Sequence, residues 1–213
     1  MKTHLFTLAL ILFSAYSFAQ TSLYENPKFE EYAKTHETIA ILPFNTSITL
    51  RPKDMKSMAP GQLEKMEQDE GISVQNGMYS WFLKRDKKGT STVTFQDPIT
   101  CNAKLKKFGV TSENFEEYTP DELADILGVD AIIMGTFETN KPMSEAANLA
   151  LNLLVGFGGA TNKAVLNMNL YDADEGLLLA NYNKSVSGAL GSSTDQLINI
   201  LMKKASRRIS YTD

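Results

Sequence analysis

Two kinds of hydrophobic pattern alternate along the chain, and their order predicts the architecture. In Thr38-Ile39-Ala40-Ile41-Leu42-Pro43-Phe44 the apolar side chains are consecutive, as in a strand covered on both faces. Pro43 has no amide hydrogen, so regular pairing is expected to stop there. Val129 to Phe137 is a second run of this kind, and Gly135 within it predicts a bulge or a close backbone approach. Between the two runs the period becomes helical. Leu63, Met66, Glu70, Val74, Met78 and Trp81 recur in three- and four-residue steps, which predicts a long helix from Gly61 to Lys88 with Gly71 as a point of interruption. Thr90 to Phe95 alternates as a short strand. Asp97-Pro98 then caps and opens a helix that carries Cys101, Leu105 and Phe108 on one face and stops at Gly109. Thr119-Pro120-Asp121-Glu122 is a capping box ahead of Leu123, Ile126 and Leu127, with Gly128 as the stop.

Local signals complete the order of elements. Asn26 and Pro27 start a short helix over 26–36, and 45–60 is mainly a connection in which Ile48 to Leu50 extends the first strand. From Ala164 to Tyr171 the chain alternates, with Val165, Asn167, Asn169 and Tyr171 opposite Leu166, Met168 and Leu170. Asp172 to Gly176 turns, and Leu177 to Gly188 returns as the second arm of a hairpin. Ser192 to Asp195 offers caps for a last helix with the stripe Leu197, Ile198, Leu201, Ala205 and Ile209. Interleaved helices and strands closed by one hairpin make an α/β fold, a single layered domain over residues 20–213 with a mixed sheet flanked by helices.

An apolar insert at about 143–160 breaks this regularity. Ser144, Asn148 and Asn152 form one narrow polar stripe, and the other positions from Ala146 to Val155 are Ala, Leu or Val. A helix apolar on nearly every side must be covered, by the core, by a second subunit or by a membrane surface. About twelve helical residues span roughly 18 Å, short of a bilayer core. Leu149, Leu151, Leu153, Leu154, Val155 and Phe157 are therefore the candidate residues for partner or membrane contact.

The first residues set the expected compartment. A basic start at Lys2, an apolar run from Leu5 to Phe13 and the small-residue site Ser17-Phe18-Ala19 predict a signal peptide over residues 1–19, cleaved after Ala19. The residue directly after that site is Gln20 and not a cysteine, so the product is expected to be exported but not a lipoprotein, residing in the periplasm or at the periphery of the outer membrane.

Composition then removes whole classes of chemistry. The net charge of −4 gives no electrostatic basis for nucleic-acid binding. Cys101 is the single cysteine, so no internal disulfide is expected, and its helical position points it into the core as an inert packing group. His36 is the one histidine beyond the leader, too few for a zinc site, and no activated nucleophile lies near it in sequence. Asp172, Asp174 and Gly176 do not follow calcium-loop spacing and are assigned to the hairpin turn. Gly156-Phe157-Gly158-Gly159 lacks the lysine and the following helix of a phosphate loop. No catalytic, cofactor-binding or metal-binding residue is assigned, and no cofactor is expected. Lys84, Arg85, Lys87 and Lys88 crowd the end of one helix, and Lys203, Lys204, Arg207 and Arg208 the end of another. Cations at both places match the helix dipole, and for the last helix a sharper reading is contact with an anionic lipid or a partner.

Three stretches carry a family resemblance: Ile39-Ala40-Ile41-Leu42-Pro43-Phe44, Leu127-Gly128-Val129-Asp130-Ala131-Ile132-Ile133-Met134-Gly135, and Leu170-Tyr171-Asp172-Ala173-Asp174-Glu175-Gly176-Leu177-Leu178. In order and spacing they resemble the curli-secretion-channel (CsgG-like) superfamily. That superfamily includes the lipoprotein activators of penicillin-binding proteins and is similar in fold to the amino-terminal domain of TolB. The chain looks still closer to secreted bacterial proteins of this type for which no function is established. The resemblance implies a non-catalytic exported envelope accessory protein, acting through protein–protein contact or assembly near the outer membrane, with envelope proteins or copies of itself as partners. Two other functions fit the residues. One is a small-ligand or glycan-binding periplasmic module, which needs a concave, partly apolar pocket. The other is a carboxylate-only hydrolase built on Asp172, Asp174 and Glu175, which needs a second carboxyl facing them.

Overall fold

Thr38 to Ile41 form the strand on which both layers of the molecule are built. A computed structural model of the chain describes residues 21–89, 91–111, 114–140, 163–187, 194–207 and 211. The expected leader and the apolar insert at 143–160 lie outside the described residues. Seven strands form one sheet: β1 (Thr21–Glu25), β2 (Thr38–Ile41), β3 (Asn45–Ile48), β4 (Thr94–Phe95), β5 (Ala131–Thr139), β6 (Lys163–Asp172) and β7 (Leu178–Ser187). Their order is β1-β7-β6-β5-β2-β4, with β3 also paired to β5. β2 runs parallel to β4 and β5, and β3 runs parallel to β5. β6, β7 and β1 add antiparallel neighbours beyond β5. The fold class is thus α/β with a mixed sheet flanked by helices.

Alternation along β2 divides the core in two. Ile39 and Ile41 face one side, where Val74, Met78 and Phe82 of α3 (Gln62–Asp86) and Leu201, Met202 and Ala205 of α6 (Thr194–Ala205) cover them. Phe82 stacks on Phe95 of β4 with ring centroids 4.0 Å apart. Ala40 and Leu42 face the other side, against Cys101 and Leu105 of α4 (Pro98–Lys107) and Leu123, Ala124 and Leu127 of α5 (Pro120–Leu127). The local stop and start signals act as their chemistry predicts. The Asp97 carboxylate accepts from the Ile99 and Thr100 amides at 2.8 and 3.3 Å. Glu122 accepts from the Thr119 amide at 2.8 Å, and Gly109 and Gly128 end their helices at positive φ.

Three expectations are corrected. Gly71 does not interrupt α3, which runs unbroken through it. A Cβ there would lie 2.1 Å from the Phe44 carbonyl oxygen, so glycine is needed because the helix touches the chain just beyond β2. The connection after Pro43 is not mainly loop. Pro43 ends β2, but β3 resumes beside β5 and α2 (Pro52–Met55) follows, both local enough to need little periodic signal. The amino-terminal helix shrinks to α1 (Phe29–Ala33), and the residues before it form the unpredicted edge strand β1, all five of whose residues are exposed. Among the described residues no helix is long and apolar enough to cross a membrane.

Gly135 is a close approach and not a bulge. β5 and β6 pair without a slip through Gly135 and Met168, and a Cβ on Gly135 would lie 2.0 Å from the Asn167 carbonyl oxygen. Gly135→Ala is therefore expected to destabilise the protein by about 1–3 kcal/mol, the usual range for overpacking, and an unchanged urea midpoint would contradict this packing. Cys101 is fully buried, and burial pushes its thiol up to about 12, the Lys104 ammonium offsetting only part of the effect. A thiol reagent at pH 8 should label Cys101 slowly in the native protein and promptly in denaturant; rapid native labelling would show the helix to be open.

Candidate functional site

The carboxyl ends of parallel strands are where open α/β sheets leave a crevice for ligands. Here that rim holds a half-open cavity of about 260 Å³. Pro43 and Phe44 line it from just beyond β2, Gln68 and Ile72 from α3, Asn102 and Leu105 from α4, and Val110, Thr111 and Phe115 from the segment after α4. Pro43 releases the chain from the sheet, and Gly71 lets α3 come down onto Phe44, so the same two residues that end β2 shape the crevice. An amide pair holds the two helices in register. Buried Gln75 donates to the Ile41 carbonyl at 2.6 Å and to Asn102 Oδ1 at 3.0 Å, and Asn102 Nδ2 donates back to Gln75 Oε1 at 2.9 Å. Ile72, 40% exposed, stands at the mouth. Among the described residues the lining includes no acid, no base and no thiol, so the pocket can hold a mainly apolar group, with the neutral polar side chains of Gln68, Asn102 and Thr111 beside it.

A second polar arrangement lies at the opposite end of the strands. His36 Nε2 bonds Asp172 Oδ1 at 2.9 Å, and its Nδ1 bonds the Tyr211 hydroxyl. Asp172 Oδ2 accepts from the Glu175 amide at 3.0 Å, and the Tyr211 carbonyl accepts from the Thr92 amide at 3.0 Å. The Tyr211 ring meets Phe29 edge-on at 5.4 Å. Carboxylate, imidazole and hydroxyl in line have the sequence of a nucleophile relay, but all three side chains are buried and Tyr211 is 0% exposed. Burial, reinforced by the charges of Asp172 and Asp130, raises the Tyr211 hydroxyl so that it keeps its proton. The three groups therefore act as a clip that fastens the tail to the start of β2.

The residues proposed from sequence are dispersed. Asp172 is turned inward onto His36, Glu175 accepts from the Tyr32 hydroxyl at 2.9 Å, and Asp174 is exposed. Gly176 adopts positive φ in the hairpin turn. Leu149, Leu151, Leu153, Leu154, Val155 and Phe157 lie outside the described residues. No cluster of three His, Cys, Asp or Glu side chains suited to a metal ion occurs among the described residues. Sequence reasoning missed the pocket, whose only signals were Pro43 and Gly71, and it missed Tyr211, whose partners are far away along the chain.

No protein-family model matches this chain, and no curated protein matches it. Solved structures similar to it include lipoprotein GNA1162 from Neisseria meningitidis, 14% identical over 83% of this chain and 99% of that one, with a TM-score of 0.46. The PelC dodecamer from Paraburkholderia phytofirmans is 10% identical over 90% of this chain and 97% of that one, with a TM-score of 0.41. The LpoB C-terminal domain from Salmonella enterica is 9% identical over 75% of this chain and 93% of that one, with a TM-score of 0.33. At these values the likenesses assign neither family nor function.

Tyr211→Phe leaves the buried His36 Nδ1 without its partner and is expected to lower stability by about 1–3 kcal/mol at neutral pH. The folded state holds the Tyr211 proton more tightly than the ordinary value of 10.0 allows in the unfolded chain. That contribution is complete below pH 10 and is lost as pH rises beyond it. Urea unfolding should show the gap between wild type and variant narrowing above pH 10, and a gap that widens would reverse the assignment.

Proposed function

We propose that this chain is a non-catalytic accessory protein of the bacterial envelope that works by contact, and that the pocket beyond β2 seats an apolar side chain of its partner. One observation carries the reading: a mostly apolar cavity at the crevice of the sheet, lined among the described residues by no carboxylate, imidazole, amine or thiol. Interfaces concentrate their energy where an apolar anchor enters such a pocket, and Ile72 at the mouth adds apolar area to the rim. The expected export to the periplasm or the outer-membrane periphery belongs to the same reading, as do envelope proteins or further copies of this chain as the partner. A volume near 260 Å³ falls below the roughly 300–1,000 Å³ of most small-ligand sites, which favours a side-chain anchor over the ligand-binding module. For the carboxylate-only hydrolase, Asp172 is already committed to His36 and to the turn.

A photo-crosslinking residue in place of Ile72 tests the proposal in intact envelopes, with the same residue at Asp174, on the hairpin turn at the other end of the strands, as control. A discrete adduct from position 72 alone is the expected outcome. Doubling of the mass identifies a second copy, and any other defined mass identifies an envelope protein. No adduct from position 72, or the same adducts from both positions, overturns the reading. A small molecule retained by the wild-type protein in native mass spectrometry and lost in Ile72→Arg would put the ligand-binding module in its place.

A further inference from the structure

Two basic stretches that are far apart in sequence meet at one corner of the molecule. Trp81 Nε1 donates to Asn199 Oδ1 at 3.2 Å, and one helical turn later Arg85 Nε donates to Ser206 Oγ at 3.0 Å. Contacts that advance together along α3 and α6 mean that the two helices run parallel and end side by side. Lys84, Arg85, Lys87 and Lys88 from the end of α3 therefore join Lys203, Lys204 and Arg207 from the end of α6. Lys84 Nζ lies 4.2 Å and Lys203 Nζ 5.9 Å from the centroid of the Trp81 ring, so the indole is flanked by two ammonium groups. Arg85 and Arg207 are close enough that the Arg207 charge, after burial, helps lower the Arg85 guanidinium from its ordinary value.

Helix-dipole matching accounts for only part of this charge. Each helix end carries about half a negative charge, so the pair offers roughly one. Asp86 is the single acid within residues 81–88 and 199–207, which together hold seven cations. Lys84, Lys87, Lys88, Lys203, Lys204 and Arg207 make no ion pair among the described residues. A strongly positive corner thus stands on a chain whose net charge is −4. Two apolar groups are set into it: the half-buried Trp81, and Ile200, 43% exposed on the outer side of α6 between Lys203 and Lys204. Cations around an indole and an aliphatic side chain are the composition of a surface that meets lipid headgroups, where charge draws the protein in and the apolar groups enter the interface.

We propose that the corner formed by the ends of α3 and α6, centred on Trp81, Lys84, Lys203 and Arg207, docks the protein on an anionic phospholipid surface. The pocket plays no part in this docking, and the two can fail separately. Protein expressed from the full 213-residue chain is mixed with vesicles of phosphatidylglycerol and phosphatidylcholine, and separately with vesicles of phosphatidylcholine alone. Binding is read by co-sedimentation and by the emission of Trp81, the single tryptophan of the chain. The protein should bind the anionic vesicles with a shift of its emission to shorter wavelength, and it should leave them near 1 M salt, where the screening length is about 3 Å. At about fivefold per cation, Lys84→Gln with Lys203→Gln should weaken binding about 25-fold, and the same positions changed to Arg should keep it within about twofold. Lys204→Gln with Arg207→Gln is the second variant should the first have a lowered urea midpoint. Absent binding to the anionic vesicles, equal binding to both kinds, or binding unaffected by the Gln variants overturns the proposal. Binding to soluble polyphosphate but not to vesicles also overturns it and makes the corner a site for an anionic polymer.

Discussion

The approach of Gly71 to the Phe44 carbonyl is the constraint from which the rest of the molecule follows. At that point a helix of 25 residues touches bare backbone, with 2.1 Å between the oxygen and the place a Cβ would occupy. The contact sets the height of α3 above the sheet and thereby the overlap of Val74, Met78 and Phe82 with Ile39 and Ile41. It also fixes where β2 stops being a strand and where β3 begins, because the Phe44 amide bonds the Gly71 carbonyl at 3.3 Å in place of a sheet partner. From the same height α3 runs on to lie beside α6. The crevice, the core and the basic corner are thus three consequences of one side-chain-free contact.

How much of this was legible depended on the range of the interaction that wrote it. Asp97, Thr119 with Glu122, and the turn at Gly176 act within a few residues, so their chemistry reads directly from the sequence and recurs in the structure. The alternation in β6 was equally plain, because Asn167 and Asn169 stand on one face and Leu166, Met168 and Leu170 on the other. Gly71 was misjudged for the opposite reason. A glycine within a helical period looks like a weakness until the backbone it must admit is known. β1 was missed because Thr21–Glu25 pairs only with β7, at the far end of the chain, and its exposed residues leave no buried period. The pocket draws its walls from positions 43 to 115, and no local pattern announces such a meeting. Each basic stretch was visible by itself, and their meeting was not.

Polar groups in this fold are spent mainly on holding elements together. The Gln75–Asn102 pair ties α3 to α4, Asp130 accepts from the Glu37 and Thr38 amides at 2.8 Å, and His36 joins Asp172 to Tyr211. The Asp130 and Asp172 carboxylates thereby satisfy backbone donors at the starts of β2 and of the hairpin turn while they tie distant segments together.

The clip at His36 bears on when the fold can form. It joins positions 175 apart in the chain, and the same core takes Leu201, Met202 and Ala205 from the last helix. Contacts of such long range pay their loop-closure entropy before they return any stability, and they come late in folding. The face of the sheet under α3 therefore stays incomplete on the ribosome until α6 and Tyr211 have been made. Until then the apolar side chains of β2 and α3 lack part of their cover, and folding of this layer waits on the segment around α6.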